Sequence, residues 1–455
     1  MKASKQLLKL VNLQEKKFYE LLHSFYPRDY SVISKANDEM AILLTTKYSF
    51  TAREYLSGTQ LNGWEIPSEW ILHKFTLKMD EIELFNENSQ GITISEHSPN
   101  TSIYLDYKEL VKGINVGESD ALPWDWRNLY RHKNDRQWSL AMSRNNFSRL
   151  KKDARYHLEI SSFASERTMK VLVRDSNRAL KPTILINAHN DHPRQFNDDL
   201  SGVIASILIQ EILKEIHLKF NVKTLIGPEH YGPMFFLNSD FAENEIEKSE
   251  EVNFFSGCVI LASIADGGLM KLQQSFNEKS TLNFVASKLF NHKGFEIFKF
   301  RQLHGNDEII FECPPYRIPT ITLTRFPFLN YHTTADVPSK HAWDSIKHAI
   351  IVTLEILLEF ELQETYSWRK KGLQKYDSPD TRSLFKPAHA PNLNSDFDHL
   401  IDSKWNELMN SVPMMLDLGL STEQIAGEFQ LNPGDVSLYL NEFETKGIIK
   451  RRYQA

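Results

Sequence analysis

Residues 181–202 read KPTILINAHNDHPRQFNDDLSG. The stretch opens on a short apolar run of β-formers, Ile184-Leu185-Ile186, which predicts a buried strand. At its carboxyl end stand His189, Asp191 and His192, then Asp198 and Asp199, then the small pair Ser201-Gly202. The next residues, VIASILIQEILKEI, carry apolar side chains at helical spacing. Strand, polar loop and helix form the repeating unit of an α/β sheet, and such sheets bind ligands outside the carboxyl ends of their strands. Imidazoles and carboxylates are also the side chains that divalent metals take as ligands.

Working outward, the same unit recurs. KVLVRD near Met169, VKTLIG at 222–227, GCVILASIA at 257–265 and IPTITLT at 318–324 all read as strands, with helical spacing in LNFVASKLF and in SKHAWDSIKHAIIVTLEILLEFEL. Alternation of this kind predicts a mostly parallel sheet with helices on both faces. Metal-competent residues follow these strands one after another. Glu229-His230 comes after VKTLIG, Asp266 after GCVILASIA, and His332 after IPTITLT. A single buried His or a single Asp after a strand is ordinary; the whole set points to a metal site. In His189-x-Asp191, the imidazole can bind metal while the carboxylate holds its other nitrogen. Ser201-Gly202 lets the backbone come close beside Asp198. The loop RQLHGNDEIIFECPP carries the acidic pair Asp307-Glu308, which is either a solvated turn or a lining of the cleft. Cys313 has no evident base nearby and reads as structural.

The chain of 455 residues is too long for one core, so two or three domains are expected. No run of about eighteen apolar residues occurs, which speaks against a membrane helix. The amino-terminal segment lacks the apolar core of a signal peptide, and Cys258 and Cys313 cannot build a disulfide framework. Both points suggest the cytoplasm. A net charge of −6 argues against attraction of the whole chain to nucleic acid. Residues 4–25 predict one amphipathic helix. From 61 to 168 the pattern changes to alternating apolar and polar residues with turn signals, a β-rich insert. Trp64, Trp70, Trp124, Trp126 and Trp138 lie in it, and filling a small core is their commoner use, with sugar or peptide binding the other. Residues 368–396 read as a linker. Beyond them, 397–455 scan as three helices and a basic β tail, the rhythm of a winged helix-turn-helix, with Ser421 and Asn432-Pro433 starting helices.

Together, the order His-x-Asp, Asp-Asp-x-Ser-Gly, Glu229, Asp266 and His-Thr-Thr resembles the zinc aminopeptidases with a co-catalytic dinuclear site. NAHNDHP…NDDLSG, GPEHYG and YHTTAD, preceded by IPSEW, are similar to a family of aminopeptidase-like proteins associated with bacterial polysaccharide biosynthesis. Those proteins carry an inserted β domain and a carboxyl-terminal winged helix. The resemblance implies that 1–60 and 169–367 together form an aminopeptidase-like α/β domain. It implies that His189 binds one zinc and Asp191 orients it, and that Asp198 bridges two metals, with a strained peptide bond into Asp199. Glu229 becomes the general base for the attacking water. His230 stands where a second Glu ligand is expected, which puts one zinc ahead of two. Asp266 would share the metal of His189, and His332 would bind the other. His192 departs from the aminopeptidase pattern and is either an extra ligand or a substrate contact. Asp307 and Glu308 would hold a free α-amino group of the substrate.

The function these residues suggest is zinc-dependent hydrolysis of an amide in a peptide, an aminoacyl conjugate or an amino-sugar precursor. The alternative is a DNA-binding regulator or scaffold that uses a degenerate peptidase domain as a ligand sensor. Its support is the winged-helix-like tail with Lys450, Arg451 and Arg452; against it, the helix DVSLYLNEFETKG offers few cations for phosphate. Such a module also serves protein contacts, including contacts between copies of one chain.

Overall fold

The computed structural model describes residues 2–118, 120–179, 182–244, 255–387 and 398–452. Its centre is an eight-stranded sheet. The strands are β1 (Thr51–Leu56), β2 (Thr168–Asp175), β3 (Thr183–His189), β4 (Asn221–Gly227), β5 (Phe255–Leu261), β6 (Lys271–Gln273), β7 (Ile297–Phe298) and β8 (Thr320–Thr324). They lie in the order β1-β2-β4-β3-β5-β8-β6-β7. β3 is parallel to both neighbours, and both β3 and β4 are buried along their length. Such strands need cover on both faces. Ile184, Ile186 and Ala188 point into one core, under helices Ser201–Ile212, Thr281–Lys293 and Ala342–Glu361. Leu185 points into the other, with Phe235, Phe236 and Phe311. The parallel order breaks towards the edges: β1/β2, β2/β4 and β6/β8 are antiparallel. The sheet is therefore mixed, with the predicted parallel part at its centre.

The amino-terminal apolar stripe is kept, but the expected single helix is two, Lys2–Asn12 and Glu15–Phe25. The break falls at Leu13, which is solvent-exposed, while Leu7, Val11, Phe18, Leu21 and Phe25 are buried. They pack on other helices, with Phe18 against Trp343 and Lys17 paired to Glu211.

The chain leaves the sheet after Leu56 and re-enters at Thr168, and these two residues face each other across β1/β2. Between them lies a four-stranded antiparallel sheet, Ile82–Asn86, Glu69–Met79, Tyr156–Ser165 and Thr101–Leu105, with its own core of Phe75, Leu77, Phe85, Tyr156 and Leu158. Trp70 and Trp138 pack against that core as expected. Trp64, Trp124 and Trp126 do not belong to it.

The carboxyl-terminal part holds helices Asp398–Asp417, Thr422–Glu428 and Pro433–Thr445, the last two capped by Ser421 and Asn432 as the sequence predicts. Ile449–Arg451 pairs with Tyr366–Trp368. The expected linker 368–396 is not free chain over its described part, because Tyr376 and Leu384 are buried in the core of these helices. Residues 388–396 of that expectation lie outside the described residues. Arg451 is bound to Glu364, Tyr366 and Asn441, and Arg452 to the carbonyls of Tyr366 and Leu416. Two of the three tail cations are thus used inside the fold. Among the described residues, no helix is long and apolar enough to cross a membrane.

Candidate metal centre

β3 ends at His189, and the turn after it carries Asp191 and His192. The chain then loops back so that Asp198 and Asp199 lie beneath the same strand end, joined by a cis peptide bond. Hydrogen bonds from several directions set this loop. Asp336 accepts from the backbone amides of Asn197 and Asp198 at 2.6 and 3.0 Å. Asn197 Oδ1 accepts from the Ala265 amide, and Ser201 Oγ donates to the Asn197 carbonyl. Asp199 accepts from the amides of His189, Gly202 and Ser263. The close approach expected at Gly202 is present: a Cβ there would run into the Leu261 carbonyl and both Asp199 oxygens. Gly202→Ala is expected to cost about 1–3 kcal/mol by overpacking. It should also spread the loop, seen as a lower melting temperature together with reduced zinc binding; unchanged values for both would contradict the crowding.

Asp198 is the hub. Its Oδ1 lies 3.3 Å from His189 Nε2, and its Oδ2 lies 2.9 Å from His192 Nδ1 and 3.1 Å from His332 Nε2. His332 arrives from the loop after β8 and is stacked on Tyr331, with ring centroids 3.7 Å apart. Trp124 leans on its other side, and the Trp124 amide donates to the His332 carbonyl. Glu229, after β4, brings Oε2 to 3.9 Å from His192 Nε2. His189, Asp191 and Asp199 form the buried floor, while Glu229, His230 and His332 keep 16–25% of their side chains exposed. The cluster is open to solvent on that side.

Two groups of side chains are spaced to hold a cation: His189, Asp191 and His192, and His192, Asp198 and His332. Their chemistry fits zinc, which takes imidazole and carboxylate donors. The unpaired atoms fit it as well. Among the described residues both nitrogens of His189 and both oxygens of Asp191 are buried without a hydrogen-bond partner. Isolated buried charge is costly, and a cation is the group that would relieve it. Burial alone would lower the His192 imidazole, but Asp198 and Asp191 outweigh it and hold it up at about 9. Burial is likewise outweighed at His189, chiefly by Asp199 and Asp198. Zinc must displace these protons. Its affinity is therefore expected to rise with pH for as long as these imidazoles are protonated, up to at least about 9, the His192 value. Competition with a chelator at stepped pH checks this, and a flat profile would contradict it.

Several sequence expectations are redirected. The Asp191 carboxylate makes no hydrogen bond to His189; Asp199 Oδ2 lies at 3.6 Å from His189 Nδ1, and Asp191 stands among the candidate ligands. Asp266 is in neither group and accepts from the side-chain Nδ2 of Asn197 at 3.0 Å. β5 ends at Leu261, so the residue beside the Asp pair is Ser263, whose Oγ is 3.3 Å from Asp198 Oδ1. His230 is also outside both groups, with Nδ1 3.2 Å from Asp307. Asp307 and Glu308 do not line the cleft. Asp307 is fully buried between Asn187 and His230, and Glu308 is buried beside Arg301. Asp336 closes the YHTTAD motif and Trp124 is one of the tryptophans of the insert, but the sequence assigns neither a place at the site.

The mixed sheet and its flanking helices share the fold of zinc aminopeptidases of known structure. A Bacillus subtilis zinc aminopeptidase superposes with a TM-score of 0.52 at 13% identity, covering 79% of this chain and 94% of that one. A crystal structure from Clostridium acetobutylicum, provisionally described as a peptidase, superposes with a TM-score of 0.68 at 18% identity, covering 99% and 100%. The chain belongs to the family described as "Domain of unknown function (DUF4910)", which matches residues 19–363. It is also 23% identical over 354 residues, 76% of this chain and 78% of the relative, to a Clostridium acetobutylicum protein provisionally named for polysaccharide biosynthesis with an aminopeptidase-like domain.

Proposed function

We propose that this protein is a zinc-dependent hydrolase of amide bonds, acting on the amino-terminal residue of a peptide or on an aminoacyl or amino-sugar conjugate. The observation that carries the reading is the Asp198 carboxylate bracketed by His189 on one oxygen and by His192 and His332 on the other. His189, Asp191 and Asp198 would hold one zinc, and His332 stands at the other oxygen of Asp198. When bound, zinc supplies Lewis acidity towards the scissile carbonyl and the attacking water. Glu229 takes the proton from the attacking water and returns it to the leaving amine. Burial pushes the Glu229 carboxyl up, His189, His230 and His192 draw it back, and Asp307 adds to the rise. That suits a proton shuttle better than a fully solvated carboxylate would. Asp199 fixes His189, and Asp336 fixes the loop bearing Asp198. Names of relatives support the substrate class: a zinc aminopeptidase for the amide, a polysaccharide biosynthesis protein for the sugar conjugate.

A panel of aminoacyl and acetamido-sugar amides, assayed with the zinc-loaded protein, tests this reading. Turnover that a chelator removes and zinc restores is expected; turnover indifferent to the chelator would contradict it.

We read 61–168 as an inserted domain whose tip, through Trp124, completes the site. We read 397–455 as a winged-helix module for protein contacts, since Arg451 and Arg452 are already bound within the fold. The free thiols of Cys258 and Cys313 support a cytoplasmic setting.

A further inference from the structure

We infer that His192, and not His230, joins Asp198 and His332 as a ligand of a second metal in this centre; the inference rests on the zinc-hydrolase reading. In the aminopeptidase pattern the residue after the general base is the ligand on that side, and here that residue is His230. The geometry gives its ring another task. Asp307 Oδ1 accepts from the His230 backbone amide at 2.6 Å and sits 3.2 Å from its Nδ1, while Asp307 Oδ2 is fixed by Asn187 at 2.7 Å. The ring is thereby held among Trp64 and Tyr130, partly exposed, and is a member of neither cation-competent group.

His192 occupies the opposite situation. Its side chain is 3% exposed and lies within the group that includes Asp198 and His332. It shares Asp198 Oδ2 with His332, so both imidazoles converge on the oxygen that His189 does not use. Its Nε2 is 3.9 Å from Glu229 and 4.0 Å from Asp191, and His192 is the one residue common to both cation-competent groups. Trp124, with its ring centroid 4.4 Å away, braces the imidazole against swinging out. Carboxylate and two imidazoles make three protein ligands and leave a position open, the arrangement of catalytic zinc. A substituted ligand at one position has thus been matched by a new one from the turn after β3.

The test is metal stoichiometry by elemental analysis on the full chain, stripped of metal and dialysed against zinc. Two equivalents are expected in the unaltered protein, one in His192→Ala, and two in His230→Ala. In His192→Asp, whose carboxylate can ligate, recovery of the second equivalent is expected. Circular dichroism on each variant shows whether the loop has folded; if the His192 variants fail to fold, His230→Ala decides, with two equivalents supporting the assignment and one overturning it. One equivalent in the unaltered protein overturns the second metal while leaving a single-zinc hydrolase intact. None, after dialysis against zinc, overturns the hydrolase reading as well.

Discussion

Glu229→Gln is expected to keep the full zinc content and to lower kcat by about 10²–10⁴-fold, the usual contribution of a general base. The substitution conserves shape and removes only the ability to take a proton. Glu229 is suited to that role by position. It follows a fully buried strand, it faces the cluster at 3.9 Å from His192, and it belongs to neither cation-competent group. A metal ligand at this position would give a different outcome, with zinc and activity falling together. Elemental analysis and initial rates on the same preparation separate the two. Unchanged kcat would remove Glu229 from the mechanism.

Asp198→Asn is expected to abolish metal binding and to destabilise the metal-free protein by about 3–5 kcal/mol, the cost of removing one partner from a buried charge cluster. Burial opposes the charged form of Asp198, but His192, His189 and His332 hold its carboxyl well below the usual range. The asparagine keeps the size and loses the charge that three imidazoles face. Thermal melts with and without zinc are the measurement. A variant that melts like the parent and is still stabilised by zinc would show that Asp198 is not the hub.

The sequence shows the centre of the fold and the floor of the site for one physical reason: both are local. A buried parallel strand is a short apolar run, and its carboxyl end is where His189, Asp191 and Asp198 appear in sequence order. Close approach at Gly202 is equally local, and it is present. Expectations that depended on where a loop travels fared differently. Asp266 follows its strand in sequence, yet the last strand residue is Leu261 and the chain has passed the site before reaching it. Asp307-Glu308 has the composition of a solvated turn, and only the packing of Asn187, His230 and Arg301 around it shows that both carboxylates are interior. Trp124 reaches His332 across a sequence separation that no periodicity can signal; the residues that join them, Pro123 and Thr333, form a lone bridge. Asp336 closes the YHTTAD motif, yet only the fold shows that it anchors the loop bearing Asp198.

Diffraction from zinc-soaked crystals, recorded on either side of the zinc absorption edge, tests the metal centre most directly. Anomalous peaks flanking the Asp198 carboxylate, within about 2.0–2.2 Å of the nitrogen of His189 on one side and of His332 on the other, are the expected result. A map with no peak beside Asp198 would contradict a metal centre at the end of β3.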